Sequence, residues 1–299
     1  MDNLKTSALL KQELQQLRER LRKETKPHSS GYSALDKALG GGGFEAGTIT
    51  TLGARPGMGK TIFALNVVYN QVSVLPVDSS IILVSCNDDS SFVLKRLICI
   101  ATQTPGHLYQ TAAIDLAEEN QIISHPFLNK LAQDKLILLS HQGTVQELEQ
   151  QLLAIGNQTN ISMLVIDDFH LLKKQKGSSS KQAWEENMTA LQSLAKSLKS
   201  PVLITTGVKR TVETRKKNRF PELRDLEASD LIGQMADFCF MLVRPSYYGM
   251  PELKHSENLS EAILINRKNL YSGTNHTISL DYNMELQLFS NGANFMLKS

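Results

Sequence analysis

The residues most able to do chemistry lie in one short stretch, Gly53-Ala54-Arg55-Pro56-Gly57-Met58-Gly59-Lys60-Thr61. An apolar run, Thr48–Leu52, precedes it, and a helical pattern begins near Lys60. Glycines there let backbone amides approach an anion closely, and the positive end of the helix dipole reinforces them. Lys60 is placed to reach the β- and γ-phosphates of a nucleotide, and the Thr61 hydroxyl to ligate magnesium. This is a phosphate-binding loop of the form GxxxxGK[ST], with Ala54 where the strict pattern has glycine. Far along the chain a second apolar run, Met163-Leu164-Val165-Ile166-Asp167, ends in an acid. A buried parallel strand of that kind delivers Asp167 beside the loop, where it holds magnesium through water. The predicted nucleotide contacts are therefore Ala54, Arg55, Pro56, Gly57, Met58, Gly59, Lys60 and Thr61. Thr61 and Asp167 form the predicted magnesium site.

A second cluster is electrostatic. Between Lys209 and Arg219 lie six basic residues, Lys209, Arg210, Arg215, Lys216, Lys217 and Arg219, against one acid, Glu213. The local charge of +5 exceeds the +2 of the whole chain. A mobile Lys/Arg loop can track a single-stranded backbone through its phosphates, whereas a solvated surface loop is the plainer alternative. No aromatic residue interrupts the run, so base stacking is not indicated. The seven histidines are scattered without an HxH or HxxxH pair, which argues against a metal site built from side chains alone.

The elements that position these residues follow from periodicity. Strands are expected at Thr48–Leu52, Ser80–Ser85, Lys135–Ser140, Met163–Asp167, Val202–Thr206 and Phe238–Val243. Helices are expected after Lys60 and at Phe92–Thr102, Val145–Ala154 and Glu185–Leu198. Such alternation implies a parallel sheet covered by helices. The tail differs: Ala262–Asn266, Thr277–Leu280 and Leu286–Phe289 are short strands without helices between them, as in an antiparallel edge. Residues 104–134 give no clear pattern. At the start, Leu10, Leu14, Leu17 and Leu21 form one stripe on a helix over residues 4–24 that Pro27 ends. A stripe so narrow must dock on this chain's core or on a neighbouring subunit.

Length and composition bound these readings. The chain has 299 residues, 41% hydrophobic and 21% charged, which excludes a disordered or fibrous chain and allows either two domains or one large α/β domain. Cys86, Cys99 and Cys239 are odd in number and widely separated, so buried free thiols are expected rather than a disulfide framework. The first residues lack the apolar core of a signal peptide, and no apolar run approaches the ~20 residues of a membrane span. No membrane association and a cytoplasmic location are expected.

Taken together, these motifs resemble the RecA-like ATPase domain of DnaB-type replicative DNA helicases, over roughly residues 29–290. The likeness rests on Ser30-Gly31-Tyr32-Ser33-Ala34-Leu35-Asp36 with Gly40-Gly41-Gly42, and on Ala54–Thr61, in which alanine at the first position is the family's own variant. Val165-Ile166-Asp167-Asp168-Phe169-His170-Leu171 is similar to the family's acid-ending strand. Ser193–Leu198 with Pro201-Val202, Arg210-Thr211-Val212-Glu213, Asp225-Leu226, Gln234 with Asp237, and Arg244-Pro245-Ser246-Tyr247-Tyr248 continue in register. The resemblance implies a RecA-like P-loop NTPase. Its central sheet is mostly parallel, with helices on both faces and a C-terminal antiparallel edge, and one N-terminal helix precedes it. The implied division is a docking helix at 1–28, similar to the family's linker helix, and an ATPase domain at 29–299. The implied activity is ATP-dependent DNA unwinding in replication, with ATP and Mg2+ as cofactors. Single-stranded DNA, a self-associated ring (a hexamer) and other replication proteins are the implied partners, and Lys209–Arg219 falls at the family's DNA-facing region.

Three departures cluster at the expected active site. Asn87 stands where the family has the glutamate that deprotonates water, and asparagine cannot accept the proton; Asp88 is the nearest substitute. Gly207 stands where the family has a phosphate-sensing glutamine. Asn266-Arg267-Lys268-Asn269 replaces a Lys-x-Arg-Asn pattern that enters the neighbouring subunit's site, so Lys268, or Arg267, must serve there without the original fork geometry. The expected catalytic set is thus Lys60, Asp167, Asp88, Lys268 and Arg267. The departures raise an alternative: a catalytically weak, helicase-derived nucleotide-binding protein with an assembly or regulatory role.

Overall fold

A computed structural model of the chain describes residues 28–292 other than 112, 174–179, 216–219, 228–229, 249–258, 272 and 275, together with Lys11, Leu14 and Gln15. Nine strands form one sheet: β1 (Ile49–Ala54), β2 (Ser79–Ser85), β3 (Leu136–Ser140), β4 (Asn160–Asp167), β5 (Val202–Gly207), β6 (Phe238–Val243), β7 (Leu259–Lys268), β8 (Thr277–Asn283) and β9 (Leu288–Asn291). Their order is β3-β2-β4-β5-β1-β6-β7-β8-β9. β1 to β6 are parallel, and β7, β8 and β9 add an antiparallel edge. The predicted alternation and its changed tail both appear.

The crossovers explain how helices cover both faces. Chain progress from β1 to β2 to β3 runs one way across the sheet, and from β3 to β4 to β5 the other way. Right-handed connections therefore place Lys60–Val74 and Ser90–Thr102 on one face, and Val145–Gly156 and Ser180–Leu198 on the opposite face. The packing agrees. Lys60–Val74 packs on Ser90–Thr102 and Pro126–Leu131, whereas Ser180–Leu198 packs on Val145–Gly156 and Asp230–Met235. β1 is buried along its whole length, which suits a six-residue apolar strand between two parallel neighbours.

Several elements begin earlier than apolar patterning predicts. β4 starts at Asn160 rather than Met163, because the Asn160 side chain donates to Ser79 Oγ at 2.9 Å and locks the strand starts together. The helix expected from Glu185 starts at Ser180. Residues 104–134 fold as three short helices, Gly106–Thr111, Leu116–Ile123 and Pro126–Leu131. The second has a capping box between Asp115 and Glu118. Lys130 Nζ donates to Val72 O at 3.2 Å, and Lys135 Nζ to Pro76 O at 3.3 Å. Lys130 thus serves the carbonyl end of Lys60–Val74, whose own last turn has no basic residue, and Lys135 holds the loop that leads from it into β2.

Both ends of the described chain close over the loop helix. Asp36 accepts from Ser30 N and Ser30 Oγ at 2.7 and 2.6 Å, fixing the turn that carries Tyr32. Tyr32 stacks on Phe63 at 5.2 Å, and Phe289 meets Phe63 edge-on at 5.3 Å. All three are buried. Of the predicted N-terminal helix, Lys11, Leu14 and Gln15 are helical, and the rest lies outside the described residues.

Candidate nucleotide site

The loop after β1 turns twice through conformations that favour glycine: φ is 82° at Gly57 and 95° at Gly59. A Cβ on Gly59 would also lie 3.2 Å from the Phe289 ring. Gly59 caps the helix Lys60–Val74 without a side-chain hydrogen bond, and the first turn carries no acid. No acid of the helix itself therefore competes for its N-terminal amides, which favours their receiving a phosphate.

The parallel register brings the predicted partners together. Thr61 Oγ1 donates to Asp167 Oδ2 at 2.9 Å. The Thr205 hydroxyl at the end of β5 donates to Asp167 Oδ1. Burial, and then the neighbouring Asp168, push the Asp167 carboxyl above its ordinary value. A hydroxyl and a carboxylate this close form a hard oxygen set that fits a hydrated magnesium ion, and a divalent charge relieves the same burial cost.

Lys60 Nζ pairs with Asp168 Oδ2. Asp168 also accepts from Thr205 Oγ1 at 3.2 Å and meets His170 Nδ1 at 3.2 Å. Burial raises the Asp168 carboxyl, but the His170 hydrogen bond and Lys60 outweigh it and hold the group below its ordinary value. Arg55 faces away from the helix: its Nε donates to Glu213 Oε1 at 2.7 Å and an Nη to Val208 O at 2.8 Å. Arg244 and Tyr247 complete the rim. An Arg244 Nη lies 3.4 Å from Gly57 O, and the guanidinium stands 5.0 Å over the Tyr282 ring. Tyr247 is 52% exposed, with its ring beside Gly57.

The remaining predicted residues are placed as follows. Asn87 Nδ2 donates to Asp88 Oδ1 at 3.2 Å, and Asp88 Oδ2 pairs with Arg96 at 3.4 Å. Asp89 caps the helix Ser90–Thr102 by accepting from Phe92 N at 2.9 Å. Lys268 and Arg267 do not approach this chain's own loop. Lys268 pairs in register with Cys239 at the start of β6, whereas Leu242, near the other end of β6, pairs with Ala54. Lys268 Nζ donates to Gln234 O, and Arg267 Nε to Pro221 O at 2.8 Å. In the basic window Lys209 Nζ donates to Arg224 O at 2.9 Å, and Arg215 pairs with the buried Asp225. The Arg210 side chain is 85% exposed. Lys216, Lys217 and Arg219 lie outside the described residues.

Sequence reasoning missed Glu213, His170 and Glu227. The only acid inside the basic window was a readable signal for a partner of Arg55. No local pattern marks Glu227, which reaches the site by tertiary folding. No metal-binding cluster of three or more His, Cys, Asp or Glu side chains occurs among the described residues, and no helix there is long and apolar enough to cross a membrane.

Comparison with known families places this geometry. The family described as DnaB-like helicase C-terminal domain matches residues 28–291. The chain belongs to that family. This DnaB-like domain is 26% identical over 265 residues to the replicative DNA helicase DnaC of Bacillus subtilis, covering 88% of this chain and 56% of that protein. It is 29% identical over 270 residues to a probable replicative DNA helicase of Trieres chinensis, covering 85% and 57% respectively. The domain thus spans about half the length of these relatives. Among solved structures, the ATPase domain of G40P superposes with a TM-score of 0.81 at 23% identity, covering 95% of this chain and 99% of that one. A DnaB-like replicative helicase, described with its interactions with primase, superposes with a TM-score of 0.80 at 22% identity, covering 98% and 68%. The fold is RecA-like, as the sequence resemblance implied.

Proposed function

We propose that this DnaB-like domain is the nucleotide-driven motor of a replicative DNA helicase. It binds ATP through Ala54–Thr61 and Mg2+ through Thr61 and Asp167, and it works as a hexameric ring on single-stranded DNA in the cytoplasm, with other replication proteins as partners. The observation that carries the reading is the contact between Thr61 and Asp167 at the mouth of an amide-lined loop. In this reading Lys60 orients the β- and γ-phosphates. The bound ion neutralises charge on the transferring phosphoryl group. Lys268 or Arg267 serves a neighbouring subunit, because each lies toward the end of the strands opposite its own loop. Arg210, Lys216, Lys217 and Arg219, with Lys209 and Arg215 tied back at their base, form the DNA contact.

Hydrolysis is slowed in this reading. Asn87 cannot take a proton from water, Asp89 is held as a helix cap, and Asp88 is shared with Arg96. That placement also favours a second reading, a helicase-derived assembly or regulatory protein that binds nucleotide without turning over.

Phosphate release with and without single-stranded DNA separates the two. A slow, DNA-stimulated rate that Asp167→Ala abolishes supports the motor, and nucleotide binding without release supports the second reading. Turnover within about tenfold of an ordinary ring helicase would defeat the claim of slowed hydrolysis.

A further inference from the structure

A chain of polar contacts leads out of the loop through Asp168, which shares the Thr205 hydroxyl with Asp167. Lys60 Nζ pairs with Asp168 Oδ2, Asp168 Oδ1 lies 3.2 Å from His170 Nδ1, and His170 Nε2 lies 3.4 Å from Glu227 Oε2. Glu227 is fixed at its far end. Its N–H donates to Gly207 O at 2.8 Å. Its carboxylate fills the space beside Gly207, where an added Cβ would fall 2.0 Å from Oε2. Gly207 ends β5, and the segment from Val208 to Glu227 contains the basic window.

Lys60 has one ammonium group, and contact with a phosphate competes with contact with Asp168. Asp168 is buried, at 7% exposure, so losing Lys60 leaves a carboxylate that must draw on its other partners. Those partners are the Thr205 hydroxyl and the His170 imidazole. Thr205 is itself buried on a strand and already shared with Asp167, whereas His170 is held by two long contacts, Nε2 at 3.4 Å from Glu227 Oε2 and Nδ1 at 3.4 Å from the backbone N of Gly207. The imidazole is the part least firmly held, and any shift of it bears on both Gly207 and Glu227.

We propose that Asp168, His170 and Glu227 form a relay through which phosphate binding at Lys60 is transmitted to the backbone at Gly207 and Glu227, where β5 ends. The inference rests on the nucleotide reading of the loop. His170 and Glu227 act in it as positioning residues, because neither touches the phosphate. Arg55 makes a separate tie to the same segment, at Val208 and Glu213, and so supplies an internal control.

The test is hydrogen exchange on the full chain with and without Mg2+ and a non-hydrolysable ATP analogue, with a fluorescent-nucleotide titration run in parallel. In the parent, nucleotide alters exchange in peptides containing Glu227 and in peptides covering Val208–Glu213. Glu227→Gln keeps nucleotide affinity within about threefold but loses most of the change at Glu227, while the change at Val208–Glu213 persists. His170→Asn, which removes the link from the other side, gives the same pattern. An undiminished change at Glu227 in both variants overturns the relay, as does a parent that binds nucleotide with no change there. Failure of the parent to bind nucleotide defeats the reading of the loop itself, and the titration reports that outcome separately.

Discussion

Asn87 sits in the bend after β2 with an amide where hydrolysis calls for a carboxylate, and the two acids that follow it are already engaged. Asn87→Glu is expected to raise phosphate release at least tenfold, toward the ~10²–10⁴ that a positioned general base supplies, without changing nucleotide affinity. The cysteines give a second prediction. Burial pushes the Cys86 thiol up to about 12, helped by the nearby Asp167 and Asp168. Burial also pushes Cys239 up to about 12. At pH 8 their thiolate fraction is then about a thousandfold below that of an ordinary thiol. A disulfide-exchange reagent should leave both unmodified in the native chain and react with both in denaturant. The placement of Lys60 and Thr61 at a helix start, with Asp167 beside them, was legible in the sequence because one strand–loop–helix junction and one acid-ending strand specify it. Asp168, His170 and Glu227 were not legible as a set. Residues 57 positions apart share no local pattern, and tertiary contacts such as the antiparallel bridge between Val208 and Leu226 bring Glu227 back to the end of β5.

At the scale of elements, the hairpin of β8 and β9 is a buttress for the loop. Tyr282 and Phe289 stack at 4.5 Å, Phe289 closes over Gly59, and Phe289 N donates to Asn66 Oδ1 at 3.1 Å. Phe289→Ala empties a buried site between the hairpin and Lys60–Val74. It should cost about 3–5 kcal/mol in urea denaturation and weaken nucleotide binding, because Gly59 loses its backing. Strand and helix identities were readable from alternation, and the antiparallel tail from its missing helices. The elements of residues 104–134 were not, because their helices are short and largely exposed. The helix Leu116–Ile123 buries no residue, so no apolar stripe announces it. Its signal was the capping box Asp115–Glu118, a cue carried by backbone amides rather than by burial.

For the whole molecule, a net charge of +2 conceals an uneven distribution. The proposed DNA contact should therefore be sequence-blind and strongly salt-dependent. Charge reversal at Lys216 and Lys217 should lower affinity for a single-stranded oligonucleotide at least about tenfold and flatten the slope of log affinity against log salt by about 1 or more. Equal binding by parent and double variant would remove the window from the proposed interface. The described domain also unites distant parts of the chain. Phe289 reaches 223 positions back to Asn66, and the Tyr32 hydroxyl donates to Phe289 O across 257. During synthesis the phosphate loop leaves the ribosome long before the residue that backs it. Chains stalled short of Phe289 should fail to bind nucleotide and should present Phe63 to chaperones, so the loop becomes competent only when a residue 223 positions beyond Asn66 has been made.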